Sequence, residues 1–170
     1  LTVNYYDNYD FDKRGITLGT NSNNNAIVPV SSFLMFNSLD EFTFNAKMLS
    51  TGSHVKVLDN SSNSWITTLS LYDEDGRPIY THSKNEFLQS EDIANMELDF
   101  VGNPAQTHTK HIKYDPFTLN TTTTEILDEF DYDHALRLLK HTQQINGGTK
   151  ELIVFNEYDE LGQLEKKKVG

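Results

Sequence analysis

Residues 72–81 read YDEDGRPIYT, and three later segments follow the same plan: LDFVGNPAQT at 98–107, YDHALRLLKH at 132–141 and YDELGQLEKK at 158–167. Their first residues lie 26, 34 and 26 positions apart. Self-similarity at such a spacing is typical of a repeat architecture, in which each copy is one small supersecondary unit. These four segments therefore carry most of the information on the fold.

The local chemistry of the repeat predicts a tight hairpin. Three copies place a Gly three residues after an Asp, at Asp73–Gly76, Asp99–Gly102 and Asp159–Gly162. This spacing is preferred by a type I turn, in which the Asp side chain accepts hydrogen bonds from nearby main-chain amides. The Gly then takes the left-handed conformation of a G1 bulge, which gives a hairpin loop of three residues.

This reversal predicts which residues face each other across the two strands. One set of pairs is apolar or aromatic: Tyr72 with Pro78, Leu98 with Pro104, Tyr132 with Leu138, and Tyr158 with Leu164. The other set is polar: Asp73 with Arg77, Asp99 with Asn103, Asp133 with Arg137, and Asp159 with Gln163. Each such pair contributes roughly 0.2–1 kcal/mol. We expect one face of each hairpin tip to be apolar and the other to be solvated.

The third copy departs from the pattern, because Leu136 stands where the other copies have Gly. A residue with a side chain in the left-handed region costs about 1–2 kcal/mol. Either the turn between Asp133 and Arg137 differs from the other three, or its neighbours hold the leucine in that conformation.

The rest of the chain divides into two parts. In residues 51–170, the segment from His54 to Leu58 alternates apolar and polar positions and that from Trp65 to Tyr72 is rich in β-forming residues. Together with the repeats, this predicts an all-β antiparallel sheet of successive hairpins. Residues 1–50 are an irregular lead-in segment that contains the polar run NSNNN at 21–25. Within it, residues 33–48 are ambiguous: Ser38 and Glu41 have capping-box spacing, whereas alternation of Phe42 and Phe44 favours a strand.

The repeated residues resemble the YD repeats of the RHS family, which read roughly Tyr-Asp, two variable residues, and Gly-Arg before a strand. Tyr72, Asp73, Gly76 and Arg77 match this motif in full. The other copies match in part, through three groups of residues: Leu98, Asp99 and Gly102; Tyr132, Asp133 and Arg137; and Tyr158, Asp159 and Gly162. The resemblance covers roughly the last two thirds of the chain.

The resemblance implies a structural role outside the cell. RHS proteins are large secreted or cell-surface proteins whose sheet ribbon winds into a hollow shell, and in toxin-like members the shell encloses a C-terminal effector. This chain would be one stretch of that wall, with neighbouring repeats of the longer chain as its partners and any secretion signal outside it. Unpaired edge strands at the two ends of the sheet would allow self-association.

Composition excludes several other classes of function. The net charge is −11, which repels nucleic-acid phosphates. There is no Cys, which excludes disulfides and thiolate metal sites. No apolar run is long enough for membrane insertion. Hydrophobic residues make up 36% of the chain, which indicates a thin layer with much exposed surface or a piece that lacks its neighbours.

Motifs for chemistry are weak, and we expect no enzyme activity, no cofactor and no bound metal. His108 and His111 would lie on opposite faces of a strand. The acidic run from Asp7 to Asp12 lacks the spacing of an EF-hand loop, and Gly52-Ser53-His54 is not a nucleophile elbow. Lys166–Lys168 more plausibly discourages edge pairing than binds nucleic acid. The alternative function is a carbohydrate- or protein-binding surface, with exposed tyrosines or Trp65 stacking on sugar rings.

Overall fold

A computed structural model describes residues 1–20, 27–29, 46–59 and 63–170. These residues form twelve strands and no helix. The strands are β1 (Thr2–Tyr6), β2 (Leu18–Thr20), β3 (Ile27–Pro29), β4 (Ser50–Lys56), β5 (Trp65–Tyr72), β6 (Pro78–Asn85), β7 (Ser90–Leu98), β8 (Pro104–Asp115), β9 (Asn120–Tyr132), β10 (Leu138–Ile145), β11 (Glu151–Tyr158) and β12 (Leu164–Val169). The ambiguous segment at 33–48 falls mostly outside the described residues, as does the loop at 21–25.

Ten of these strands form one antiparallel sheet in the order β1-β4-β5-β6-β7-β8-β9-β10-β11-β12, and β2 pairs with β3 separately. From β4 onward every strand pairs with the next one along the chain. The predicted all-β sheet of successive hairpins is therefore confirmed. β1 lies within the predicted lead-in segment, yet it is an edge strand of this sheet. The division of the chain at residue 51 stays a prediction.

The chain clusters into two compact units. Unit 1 contains Leu1–Asn95 and Lys110–Thr123, and unit 2 contains Met96–Thr109 and Thr124–Gly170. The boundary passes through β7, β8 and β9, so each of these long strands contributes to both units.

Unit 1 has a hydrophobic core on one face of its strands. The sheet contributes Leu69, Leu71, Tyr80 and Ile93, and the segments between β1 and β4 contribute Tyr9, Phe11, Ile16 and Ala46. The ring of Phe11 stacks on that of Tyr5, with centroids 4.4 Å apart. Gly52 on β4 lies directly beneath Phe11, which leaves no room for a side chain at that position. The segments that follow β1 and precede β4 thus supply four of the eight residues of this core cluster.

The opposite face of unit 1 is polar. The strand register aligns Asn4, Ser53, Thr68, Ser83 and Asp92 in one row across five neighbouring strands. The hydroxyl oxygens of Thr68 and Ser83 lie 3.5 Å apart in this row. One packed face and one solvated face is the arrangement expected for an antiparallel sheet of this kind.

Unit 2 is a thin layer by comparison. Its only buried residues are His108 and Thr142, and its other side chains are half-buried or exposed. Cross-strand pairs take the place of a core: the rings of Phe130 and His141 stack at 4.5 Å, and His141 bonds to Asp128 at 2.7 Å. This single layer accounts for the low hydrophobic fraction of the sequence.

Candidate functional site

The reversal between β5 and β6 has the predicted geometry. The amide of Asp73 donates to the carbonyl of Arg77 at 2.9 Å, and the amide of Gly76 donates to the carbonyl of Asp73 at 3.1 Å. Gly76 has a φ of +76°, in the left-handed region. Tyr72 faces Pro78 across the strands. These four observations define a type I turn followed by a G1 bulge.

The other three predicted reversals repeat this geometry. The Asp amide donates to the carbonyl of the residue that closes the loop, at 2.8 Å from Asp99 to Asn103, 3.0 Å from Asp133 to Arg137, and 2.9 Å from Asp159 to Gln163. Tyr132 faces Leu138 and Tyr158 faces Leu164, as predicted. We call the residue that accepts the Asp amide the closing residue.

The aspartate side chain organises each loop from within. One carboxylate oxygen of Asp73 accepts the amides of Asp75 and Arg77 at 3.0 and 2.8 Å, and the other accepts Nε of Arg77 at 2.5 Å. Asp73 is only 8% exposed, so its predicted place on a solvated face is wrong: its own loop covers it. At Asp133, hydrogen bonds from the Arg137 main chain hold the pKa of the carboxyl below its ordinary value.

Leu136 adopts the glycine conformation. Its φ is +62°, and its amide donates to the carbonyl of Asp133 at 2.9 Å, as Gly76 does to Asp73. The sequence left two alternatives open, and the structure shows the second: the turn is the same, and neighbouring residues hold the leucine in the left-handed conformation. Two bonds from Arg137 to the Asp133 carboxylate, at 2.7 and 2.6 Å, supply that restraint.

Leu136→Gly should therefore stabilise the protein by about 1 kcal/mol, because it removes the left-handed strain of a half-exposed leucine. The measurement is the urea midpoint of wild type and variant. Leu161→Gly is the matched control: Leu161 is an exposed loop residue without positive φ, so its replacement should give no gain. A destabilised Leu136→Gly variant would contradict the strain assignment.

A second bulge, which was not predicted, follows the reversals at Asp73, Asp133 and Asp159. Tyr72 faces Pro78 but Leu71 faces Tyr80, which leaves Ile79 without a cross-strand partner. The register skips Leu139 and Glu165 at the equivalent places in β10 and β12. No residue type is common to these three positions, which is why sequence patterning does not find them.

The first hairpin contains a fifth reversal that the sequence pattern also missed. The amide of Asp7 donates to the carbonyl of Leu49 at 3.2 Å, and Tyr6 faces Ser50. Met48, immediately before this closing residue, has a φ of +66°, and the register skips Thr51 as it skips Ile79. Tyr6-Asp7 is thus a YD hairpin whose short loop is replaced by residues 8–48. The Tyr-Asp dipeptide was the available signal.

Two pairs of successive reversals touch at defined junctions. Between the last two, the guanidinium of Arg137 lies 4.5 Å from the ring centroid of Tyr158, and the Tyr158 hydroxyl donates to the carbonyl of Leu138 at 3.0 Å. A side chain at Gly162 would collide with the Arg137 guanidinium. The four motif residues therefore have connected roles. Asp and Arg bond to each other within one loop, and the Arg side chain packs against the Tyr ring and the Gly of the next loop.

The junction between the first two reversals has the same geometry. The Tyr72 hydroxyl donates to the carbonyl of Ser50 at 2.6 Å, which corresponds to Tyr158 and Leu138. Gly76 faces Leu49, which is the closing residue of the preceding loop. Gly162 faces Arg137, the closing residue of the loop before it, in the same way. This agreement supports the assignment of Tyr6-Asp7 as a repeat.

The hairpins that join the repeats use different turns, which sequence reasoning overlooked. Asn85 and Asp115 each accept an amide two residues on, from Phe87 and Phe117, at 3.1 and 2.9 Å. The similar strings NEFLQS at 85–90 and DPFTLN at 115–120 were the available signal.

A cleft of about 450 Å³ lies in unit 1 beside the turn from β6 to β7, lined by Lys84, Glu86, Glu91, Ile112, Tyr114 and neighbouring polar residues. A hydrogen bond from His82 at 2.9 Å holds the pKa of the Glu91 carboxyl below its ordinary value, and Arg14 at 2.9 Å does the same for Glu86. Both carboxylates are therefore ionised at neutral pH.

Several side-chain oxygens of the acidic run after β1 accept main-chain amides, and Asp7 accepts that of Met48. Asn8 accepts the amide of Asp10, Asp12 accepts that of Arg14, and each bond is 2.9 Å long. Among the residues that the structure describes, no three potential ligands lie close enough together to hold a metal ion.

Comparisons with known proteins add no family assignment. A scan against models of protein families finds no match for this chain, and neither does a search of curated proteins. The resemblance to RHS proteins therefore rests on the repeat motif alone. Within the described ranges, no helix is long and apolar enough to cross a membrane.

Proposed function

We propose that the chain is a structural, non-catalytic segment of a large secreted or cell-surface RHS/YD-repeat protein. The observation that carries this proposal is the recurrence of one reversal, in which an Asp amide donates to its closing residue, in five hairpins of one sheet. At the two junctions, those of Tyr72 and Tyr158, a repeat makes its contacts with the neighbouring repeat, so further copies would lengthen the sheet.

In this proposal, the function of the chain is to hold a sheet of defined register and length. The reversals keep the strands in register, and the junctions at Tyr72 and Tyr158 couple each repeat to the one before it. By the RHS resemblance, such a sheet forms the wall of a shell that encloses or presents a C-terminal effector. The single layer of unit 2 suits a wall whose covering comes from other parts of a longer chain.

A carbohydrate- or protein-binding role is the alternative, and it has less support. Exposed tyrosines on one face would favour it, but the repeat tyrosines Tyr72 and Tyr158 direct their hydroxyls into junctions. The cleft beside Tyr114 is the place where a sugar would fit. A glycan array without binding would remove the sugar-binding alternative.

The proposal predicts that the sheet can be extended at β12. A second copy of residues 146–170 appended after Val169 should add the next hairpin. β12 would then have a neighbouring strand on both sides, as β10 has now. The amides of β12 should become protected from exchange, and the melting temperature should rise by about 2–4 °C, as about 1 kcal/mol produces at this size.

A matched control carries Ala in place of both Asp159 and Gly162 in the added copy alone. It should leave β12 exchanging as in the original chain. If the β12 amides were protected equally by the original and the substituted added copy, or by neither of them, the motif would not direct growth of the sheet.

A further inference from the structure

The segment of residues 8–17, which we call the strap, runs across the packed face of unit 1 from the Tyr6-Asp7 reversal to the opposite end of the strands. Its far end is fastened at the turn after β6. Arg14 makes two bonds to the Glu86 carboxylate, at 2.9 and 3.0 Å, and Glu86 also accepts the amide of Trp65 at 2.9 Å. The Arg14 guanidinium lies 5.5 Å from the centroid of the Trp65 ring. We call these contacts the clasp.

Polar pairing between the strap and the sheet is incomplete. Among the residues that the structure describes, the atoms buried without a hydrogen-bond partner include the hydroxyl of Tyr9 in the strap and, on the sheet beneath it, Nε2 of His54 and the hydroxyl of Thr67. His54 and Thr67 face each other on adjacent strands. Buried polar groups of this kind are uncommon, and water would satisfy all three if the strap moved away. The strap is therefore held by apolar contacts, by the clasp and by a bond in which Nζ of Lys84 donates to the carbonyl of Gly15 at 3.4 Å.

The strands beneath the strap pair directly with one another. β4 and β5 are joined by a continuous register from Gly52 to Lys56, and β5 and β6 by one from Ile66 to Leu71. Local opening of one segment on a sheet that stays intact is a common form of native-state fluctuation.

We propose that the strap leaves the sheet face as a unit while the strands stay paired, and that the clasp between Arg14 and Glu86 sets how often it does so. Release uncovers Tyr5, His54 and Thr67 next to the cleft that Lys84 and Glu91 line. The strap then acts as a gate over a latent surface of unit 1. This inference does not depend on the family resemblance.

Trypsin tests the proposal on the intact chain, because Lys13 and Arg14 lie within the strap. When reclosing is fast, the rate of cleavage follows the population of the open form. Glu86→Gln removes the charge that the clasp requires, and cleavage after Lys13 and Arg14 should be roughly tenfold faster than in wild type. Fluorescence of Trp65, the only tryptophan, should change in parallel.

Glu157→Gln is the matched control, since it removes a carboxylate from an exposed pair with Lys166, 3.3 Å away in unit 2. Its cleavage rate in the strap should equal that of wild type. Residue-resolved hydrogen exchange on Glu86→Gln separates local from global opening: strap release leaves the β4 and β5 amides protected. Wild-type cleavage in Glu86→Gln, or cleavage that rises together with loss of β4 and β5 protection, would overturn the proposal.

Discussion

Asp73→Ala is expected to lower the free energy of unfolding by about 3 kcal/mol, because it removes an acceptor for three hydrogen bonds inside a covered loop. Its carboxylate accepts hydrogen bonds from the amides of Asp75 and Arg77 and from the Arg77 guanidinium. Loss of the side chain leaves two loop amides without their acceptor and leaves Arg77 with its pairing to Asp75, at 3.1 Å, in place of both carboxylates. Urea unfolding followed by circular dichroism measures the change.

Two variants sharpen this result. Asp73→Asn keeps one oxygen acceptor for the amides but loses the charge, so its loss of stability should be roughly half as large. Glu74→Ala changes an exposed neighbour in the same loop and should shift stability by less than about 0.5 kcal/mol. A loss for Asp73→Ala that is no greater than that of Glu74→Ala would show that the carboxylate does not organise the reversal.

Gly52→Ala is the other substitution with a large expected effect, a loss of about 3 kcal/mol from overpacking. A methyl group at this position would overlap the Phe11 ring and would lie 2.7 Å from the carbonyl oxygen of Thr68. The oxygen belongs to a paired strand and cannot move away, so the ring and the strap must shift. Gly52 has no positive φ, and therefore conformational strain adds nothing to the effect.

The control for this substitution is Ser53→Ala on the polar face of the same strand, which should cost less than about 0.5 kcal/mol. A double-mutant cycle with Phe11→Ala adds a direct test of contact. Because the two residues touch, the cost of Gly52→Ala should be smaller when Phe11 is already Ala. Additive costs would contradict the packing of Phe11 over Gly52.

The four predicted reversals could be found from sequence because their chemistry is local. Asp73 and Gly76 are three residues apart, and the hydrogen bonds that define the loop lie within five residues. Leu136 shows the limit of this reasoning: residue type alone left the conformation open. The restraint comes from Arg137, whose side chain bonds to the Asp133 carboxylate.

The fifth reversal could not be predicted in the same way, because its two halves are far apart in sequence. Tyr6 and Asp7 open the hairpin, but the left-handed position is Met48 and the closing residue is Leu49. Neither residue type signals a turn. The burial of Phe11 depends likewise on Gly52 in another strand, a contact that no local pattern contains.

Recognition of the fifth reversal changes the interpretation of the lead-in segment. Residues 8–48 occupy the place of a short hairpin loop, and those nearest the sheet form part of the unit 1 core. Unit 2 has short loops, and within the described part of the chain no segment covers it as the strap covers unit 1. The same repeat thus supports a packed unit where a loop is enlarged and a thin wall where it is not.

Amide hydrogen exchange at five aspartates is the most direct measurement of whether one reversal recurs along the chain. If it does, the amides of Asp7, Asp73, Asp99, Asp133 and Asp159 all exchange more slowly than those of Glu74, Phe100, His134 and Glu160 at the exposed tips. Exchange at the rate of an unstructured peptide at Asp73 or Asp159, where the motif keeps both Asp and Gly, would contradict the structural role assigned to the repeat.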